Sequence, residues 1–280
     1  MASLGENRYG KSRVRVMKVV RHEAHHAIKE WNVRVLLHGD FESCFTAGDN
    51  SKILPTDTMK NTVYFLARES QAATLEEFAI ELVEYLLASN PQVTRASAEI
   101  EEKSWEPVLI DGMPHPTTYK LGGSELQTTE AVRGRGNRLK VTSGIDGLVI
   151  LKTTKSAFTG YIKDKLTTLP ESTDRILGTR ATVTWDYVDA PRNYAATRRT
   201  AVATLLKVFA DHDSLSVQHT LYGVGEAMLA AVPEMARVKL TMPNLHCNLV
   251  DLSRFGQNNP NQIFVPIDEP HGYIEAVIER

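Results

Sequence analysis

The sequence predicts an α+β protein built from two tandem antiparallel β-β-α-α-β-β units. Three observations predict this. The hydrophobic period goes from two to three-and-four and back to two, and does so twice along the chain. Strands and helices come in separate runs instead of alternating one by one, which argues against the parallel sheet of a β-α-β fold. The 280 residues are enough for two units of ordinary size. The boundary falls near residues 134–138, giving a first unit over 9–135 and a second over 136–280.

In the first half, Val14 and Val16 alternate with Arg13, Arg15 and Met17, a period-two strand. A second strand follows, with Trp31, Val33, Val35 and Leu37 on one face. Residues 48–61, rich in Gly, Asp, Asn, Ser and Pro, read as a loop that runs into the next helix. From Thr56 the spacing of Met59, Val63 and Leu66 is helical, with Thr56 in the capping position and Asp57 in the first turn. Thr74-Leu75-Glu76-Glu77 has the spacing of a capping box. The helix it opens carries Phe78, Leu82 and Leu86 and stops at Asn90-Pro91. Residues 93–110 form a strand that turns through Asp111-Gly112 and returns to about Gly134.

The second half repeats the order. Residues 138–154 predict a long strand bent at its glycines. Ala181, Val183 and Trp185 mark the next strand. Tyr194–Ala210 is helical with Val202, Leu205 and Phe209 as its inner stripe, and Ser216–Val232 is a second helix, closed by Pro233. Three closing strands are expected over residues 236–242, 246–252 and 262–267. Sheets of this kind have exposed edges, so association through edges or closure into a barrel is expected.

Composition narrows the function classes. Lys+Arg 32 against Asp+Glu 34 gives a net charge of −2, without the basic excess of a nucleic-acid or anionic-membrane binder. No apolar run reaches the ~18 residues of a membrane span, and the N-terminal residues lack the apolar core of a signal peptide. Cys44 and Cys247 are the two cysteines, too few for a disulfide framework or a cysteine-based metal site. The chain ends in Ala-Val-Ile-Glu-Arg, without a Ser-Lys-Leu address. A cytoplasmic protein is expected.

Two familiar motifs fail on context. His22-Glu23-Ala24-His25-His26 spells H-E-x-x-H, but zinc chemistry needs both imidazoles on one helical face, and this segment lies between two strands. A solvated hairpin turn is the better reading. Gly134-Arg135-Gly136 precedes a strand, not a helix, which is the wrong context for a dinucleotide loop. No metal site is expected.

What remains is a set of polar groups at element junctions: Tyr9-Gly10-Lys11, Thr56-Asp57-Thr58-Met59-Lys60-Asn61-Thr62, Phe158, Thr173-Asp174-Arg175, Ser216-Val217-Gln218 and Met242-Pro243-Asn244-Leu245-His246. Each alone has an ordinary structural explanation. In this order and spacing they closely resemble the urate oxidase (uricase) family over nearly the whole chain. The resemblance implies the tunnelling fold (T-fold), in which two chains close a β-barrel and two barrels stack into a homotetramer with active sites at subunit interfaces. It implies oxidation of urate by O₂ and water to 5-hydroxyisourate and H₂O₂, the first step of urate breakdown to allantoin. No metal or organic cofactor is implied, because the electron-rich substrate itself reduces O₂.

Carried over by the same resemblance, Arg175 and Gln218 grip the pyrimidine edge of urate, where a planar donor fork and an amide match alternating N–H and C=O groups. Phe158 stacks on the ring, the Val217 backbone completes that edge, and Thr56 and Asp57 come from a neighbouring subunit. Lys11, Thr56 and His246 form the proton relay, and Asn244 with Thr56 holds O₂ and later water. Leu245 departs from the family, which commonly has a basic residue there. Three alternatives stay open at this point: a zinc-dependent pterin- or purine-converting relative, a non-catalytic purine binder, and a zinc peptidase.

Overall fold

The computed structural model describes residues 2–280, apart from the side chain of Asp268. Strands β1 (Tyr9–Arg21) and β2 (His26–Gly39) lead to a short helix α1 (Glu42–Ala47) and then to α2 (Thr56–Glu69) and α3 (Leu75–Ser89). Next come β3 (Val93–Ile110), β4 (Met113–Gly134), β5 (Lys140–Lys152) and β6 (Leu177–Tyr187), then α4 (Tyr194–Asp211) and α5 (Val217–Ala231). The chain closes with β7 (Met235–Thr241), β8 (Asn244–Leu249), a 3₁₀ turn (Ser253–Phe255), β9 (Phe264–Gly272) and β10 (Glu275–Glu279). The residues group into two compact units, 1–144 with 189–195 and 145–188 with 196–280. None of the described helices is long and apolar enough to cross a membrane.

In the first unit β1, β2, β3 and β4 pair antiparallel in sequence order. Alternation does what it predicts. Val14, Val16, Trp31, Val33, Val35, Leu37, Ala98 and Ile100 are buried. The helices supply Met59, Val63, Phe78, Leu82 and Leu86, and the Trp31 and Phe78 rings stack 4.6 Å apart. The intervening strand positions carry the polar groups: Arg34 pairs with Glu99, and Asn32 donates to Glu101. The capping box at Thr74 and Glu77 is present in full. Asp111 and Gly112 both take positive φ, the requirement of a tight two-residue hairpin.

In the second unit the residues of β5 to β7 form the sheet's spine, β10 pairs with β7, and β8 pairs with β6 and β9. Ala181, Val183 and Trp185 pack with Leu205, Phe209, Leu221, Val224 and Met228 in one core. Val202, expected inside, is only partly buried at its margin.

The two units share a device that the sequence order alone does not reveal. Arg135, just after β4, donates to the carbonyls of Leu87, Asn90 and Val93 around the end of α3. Arg280, just after β10, does the same to Leu229, Val232 and Met235 at the end of α5. A guanidinium fork thus satisfies the orphan carbonyls at the C-terminus of the equivalent helix in each unit.

Three elements differ from expectation. Helix α1 buries no residue, so it leaves no apolar period in the sequence. Strand β10 was not foreseen: it is a five-residue edge strand with Ile278 as its one buried side chain. Thr56 is not the cap of α2. Pro55, extended at φ −56 and ψ 138, occupies the capping position, and Thr56 is the first helical residue. A proline is at home where the helix begins, since it has no N–H to leave unsatisfied.

Candidate active site

In the first unit the site residues sit where β1 meets the start of α2. Tyr9 fixes this junction. Its hydroxyl accepts from the Leu54 N–H at 2.8 Å and donates to the Leu54 carbonyl at 3.2 Å, and its ring packs edge-on against Phe41 at 4.8 Å. Burial pushes the Tyr9 phenol up from its ordinary pKa, so it keeps the proton it donates. Gly10 is needed for close approach, because a Cβ there would lie 1.9 Å from the Val35 carbonyl oxygen.

Lys11 follows, and directly after it the β1–β2 register slips: Lys11 pairs with Val35 but Val14 with Val33, so Ser12 and Arg13 together oppose Arg34 alone. Arg13 takes φ +58 within this bulge. Bulges re-aim side chains and recur beside active sites. Here the bulge sits between Lys11, on the α2 side of the junction, and the regular buried run that starts at Val14. Period-two reading passes over it, because a bulge shows only when the partner strand's register is known.

At the start of α2 no side chain caps the helix. The first backbone N–H groups, those of Thr56 and Asp57 among them, lack partners within the helix and face solvent with the positive end of its dipole. Asp57 does not fill the gap. Its carboxylate turns back onto its own helix, paired with Lys60 and accepting from Asn61 at 3.2 Å. The Lys60 bond holds Asp57 below the usual carboxylate range, with smaller help from Asn61 and the Lys11 charge. Lys11 and Asp57 are therefore electrostatic neighbours. The Thr56 hydroxyl is exposed and has no capping role.

The second unit holds the rest. Phe158 is fixed by a two-way backbone bridge to Ser172, at 2.7 and 3.1 Å. Its ring stacks on Tyr161 at 4.8 Å, and the Arg175 guanidinium carbon lies 5.2 Å from its centroid. Arg175 is half-buried, and its Nε is enclosed with no hydrogen-bond partner. The adjacent Asp174 does not neutralise it. That carboxylate is occupied by the Thr154 hydroxyl at 2.8 Å and the Ser156 N–H at 3.4 Å. Burial pushes the Arg175 pKa down from its ordinary value, a sign of a cation held out of water.

Val217 and Gln218 open α5, where Ser216 caps the helix by accepting from the His219 N–H at 3.1 Å. Val217 is buried and the Gln218 side chain is exposed. The Phe158 segment is tied to this helix: Ala157 donates to the Ser214 carbonyl at 2.7 Å, and the Ser214 hydroxyl donates to the Ser216 carbonyl at 2.9 Å. Ring platform and helix start are thus one hydrogen-bonded assembly. Asn244 and Leu245 pair with Thr179 and Gly178 at the start of β6, the end of the strand into which Arg175 leads. The Asn244 amide nitrogen lies 3.4 Å from His246 Nδ1, so these two side chains face the same way from β8.

The structure therefore gathers Lys11, Thr56 and Asp57 in one unit, and Phe158, Arg175, Val217, Gln218, Asn244 and His246 in the other. The His22–His26 segment is the β1–β2 turn, closed by the His22 N–H donating to the His25 carbonyl at 3.0 Å. Among the described residues no three His, Cys, Asp or Glu side chains are placed to hold a metal.

Comparison with known proteins gives the family. The uricase family model matches residues 7–132 and 141–275. A uricase of Arthrobacter globiformis is 40% identical over 99% of this chain and 90% of its own length, and uricase-2 isozyme 2 of Glycine max is 40% identical over 98% and 94%. The crystal structure of the Arthrobacter globiformis uricase superposes with a TM-score of 0.94, covering 100% of this chain and 96% of that one. With this match over nearly its whole length and the T-fold of a solved uricase, the chain belongs to the uricase family.

Proposed function

We propose that this protein oxidises urate with O₂ and water to 5-hydroxyisourate and H₂O₂, using its own side chains and the reducing power of the substrate. One observation supports this most: Arg175, a half-buried cation with an enclosed, unpartnered Nε, beside an aromatic ring and without a carboxylate of its own. Such a group suits a flat anion that offers paired acceptors. Urate is one, and Gln218 with the Val217 backbone extends the same edge.

In this reading the first-unit group of one subunit meets the second-unit group of another within a homotetramer. The unpartnered Thr56 and Asp57 amides face the substrate, as helix N-termini do for electron-rich groups. Lys11 takes a proton by way of the Thr56 hydroxyl, with His246 completing the relay. Asn244 and Thr56 hold O₂ above the ring and then water. The ring gives two electrons to O₂, which leaves with two protons as H₂O₂. Water then supplies the hydroxyl at C5 and returns its other proton to the relay.

Incubating the purified protein with urate in air and excess chelator tests the proposal. Loss of urate absorbance matched one for one by H₂O₂ is expected; no turnover with oxygen present overturns it.

A further inference from the structure

Beyond the groups that would touch urate, α5 is held by an unusual pair of rings. His212 lies in the α4–α5 connection, and its root is fixed twice: its N–H donates to the Val208 carbonyl at 2.9 Å and its carbonyl accepts from Lys152. From there its ring reaches the first turn of α5. Nδ1 lies 3.2 Å from the hydroxyl of Thr220, a fully buried residue, and the ring centroid is 4.3 Å from that of His219. His219 in turn accepts the Leu215 N–H on Nδ1 at 3.4 Å, and its own N–H is the one that Ser216 caps. Gly223, one turn further on, also lies beside the ring: a Cβ there would be in ordinary contact with His212 Nε2, at 3.5 Å. Val217 and Gln218 are thus flanked by Ser216 on one side and by two residues anchored on His212 on the other.

We infer that His212 and His219 are positioning residues for the substrate-gripping start of α5, and that acid loosens their hold on Val217 and Gln218. The inference rests on the urate-binding role proposed above for those two residues. With its proton on Nε2, His212 accepts the Thr220 hydroxyl on Nδ1. Protonation removes that acceptor and places a cation 4.3 Å from His219 and close to Lys152.

The charged groups facing His212 are His219 on α5, Lys152 on β5 and Asp213 in the connection. Burial is the largest influence and pushes its pKa down. His219 and Lys152 add to it, and Asp213 opposes. A histidine whose pKa is depressed on folding contributes stability above its unfolded value, about 6.5, and loses that stability as the pH falls below it. The loosening therefore belongs to the acid side of neutrality.

The test compares the full-length protein with His219→Gln, which keeps an acceptor for the Leu215 N–H but removes the second ring, and with His212→Asn. Amide hydrogen exchange over residues 217–221, corrected for intrinsic rates, is measured at about pH 8 and about pH 5.5, on either side of the ordinary histidine range. Protection is expected to fall several-fold in the native protein, to fall less in His219→Gln, where the His212–Thr220 contact remains without the second ring, and to stay nearly level in His212→Asn. The same fall in all three overturns the inference. In parallel, the KM for urate is expected to rise with acid in the native protein more steeply than in His219→Gln, with kcat alike at about pH 8. Exchange that responds while KM runs in parallel overturns the positioning role. Absence of any urate turnover overturns the proposed function instead, and the exchange result still decides the helix latch.

Discussion

On the proposed function, Arg175 is the residue on which urate recognition turns. Hydrogen bonds to a charged group are worth about 1.5–3 kcal/mol each, so Arg175→Ala should raise the KM for urate by roughly 10- to 100-fold. Its kcat at saturation should change less. Arg175→Lys should recover little, because an ammonium cannot present two parallel donors to a planar edge. Steady-state kinetics check both, and an unchanged KM for the alanine variant would remove Arg175 from the site. This residue was legible in the sequence only through its neighbours in the Thr-Asp-Arg block. Nothing in that block says that Asp174 is bound to Thr154 and Ser156 and leaves the guanidinium free. Thr56 shows the converse. It looks like a capping threonine, yet Pro55 starts the helix and leaves the Thr56 hydroxyl clear of the backbone.

Among the elements, the junction of β1 with α2 holds three of the groups in the proposed mechanism, Lys11, Thr56 and Asp57. The Tyr9 hydroxyl makes two bonds to Leu54 and so holds the residues before Thr56 against the strand that carries Lys11. Tyr9→Phe keeps the ring and its contact with Phe41 and removes both bonds. A loss of about 1–2 kcal/mol in stability is expected, together with a lower kcat and a nearly unchanged KM, read by thermal unfolding and steady-state kinetics. Wild-type kcat in this variant would show that the pin does not position the relay.

Elements with strong periods were readable from the sequence: the buried valines of β1 and β2, the capping box of α3, and the limits of β3. Those without one were not. Helix α1 buries nothing, β10 is five residues long, and the Ser12–Arg13 bulge has no residue signature.

For the whole molecule, the tandem reading explains why so few groups make a site. Each unit carries a helix pair on its sheet and an arginine that closes one helix end, Arg135 in one unit and Arg280 in the other. On the proposed function each also carries half of the chemistry. Near-neutral net charge fits a small anion better than a polyanion: on the proposed function the cation that matters is one half-buried arginine, not a basic surface. In the proposed tetramer, Lys11 and Thr56 of one subunit serve Arg175 and Gln218 of another. Assayed at urate well below the KM of the alanine variant, where each alone turns over little, Lys11→Met and Arg175→Ala should complement each other when unfolded together and refolded as a mixture. If paired subunits share two equivalent sites, random pairing leaves about a quarter of the sites with both halves intact. The mixture should regain about that fraction of native urate turnover; a mixture no more active than its components would contradict a site shared between subunits.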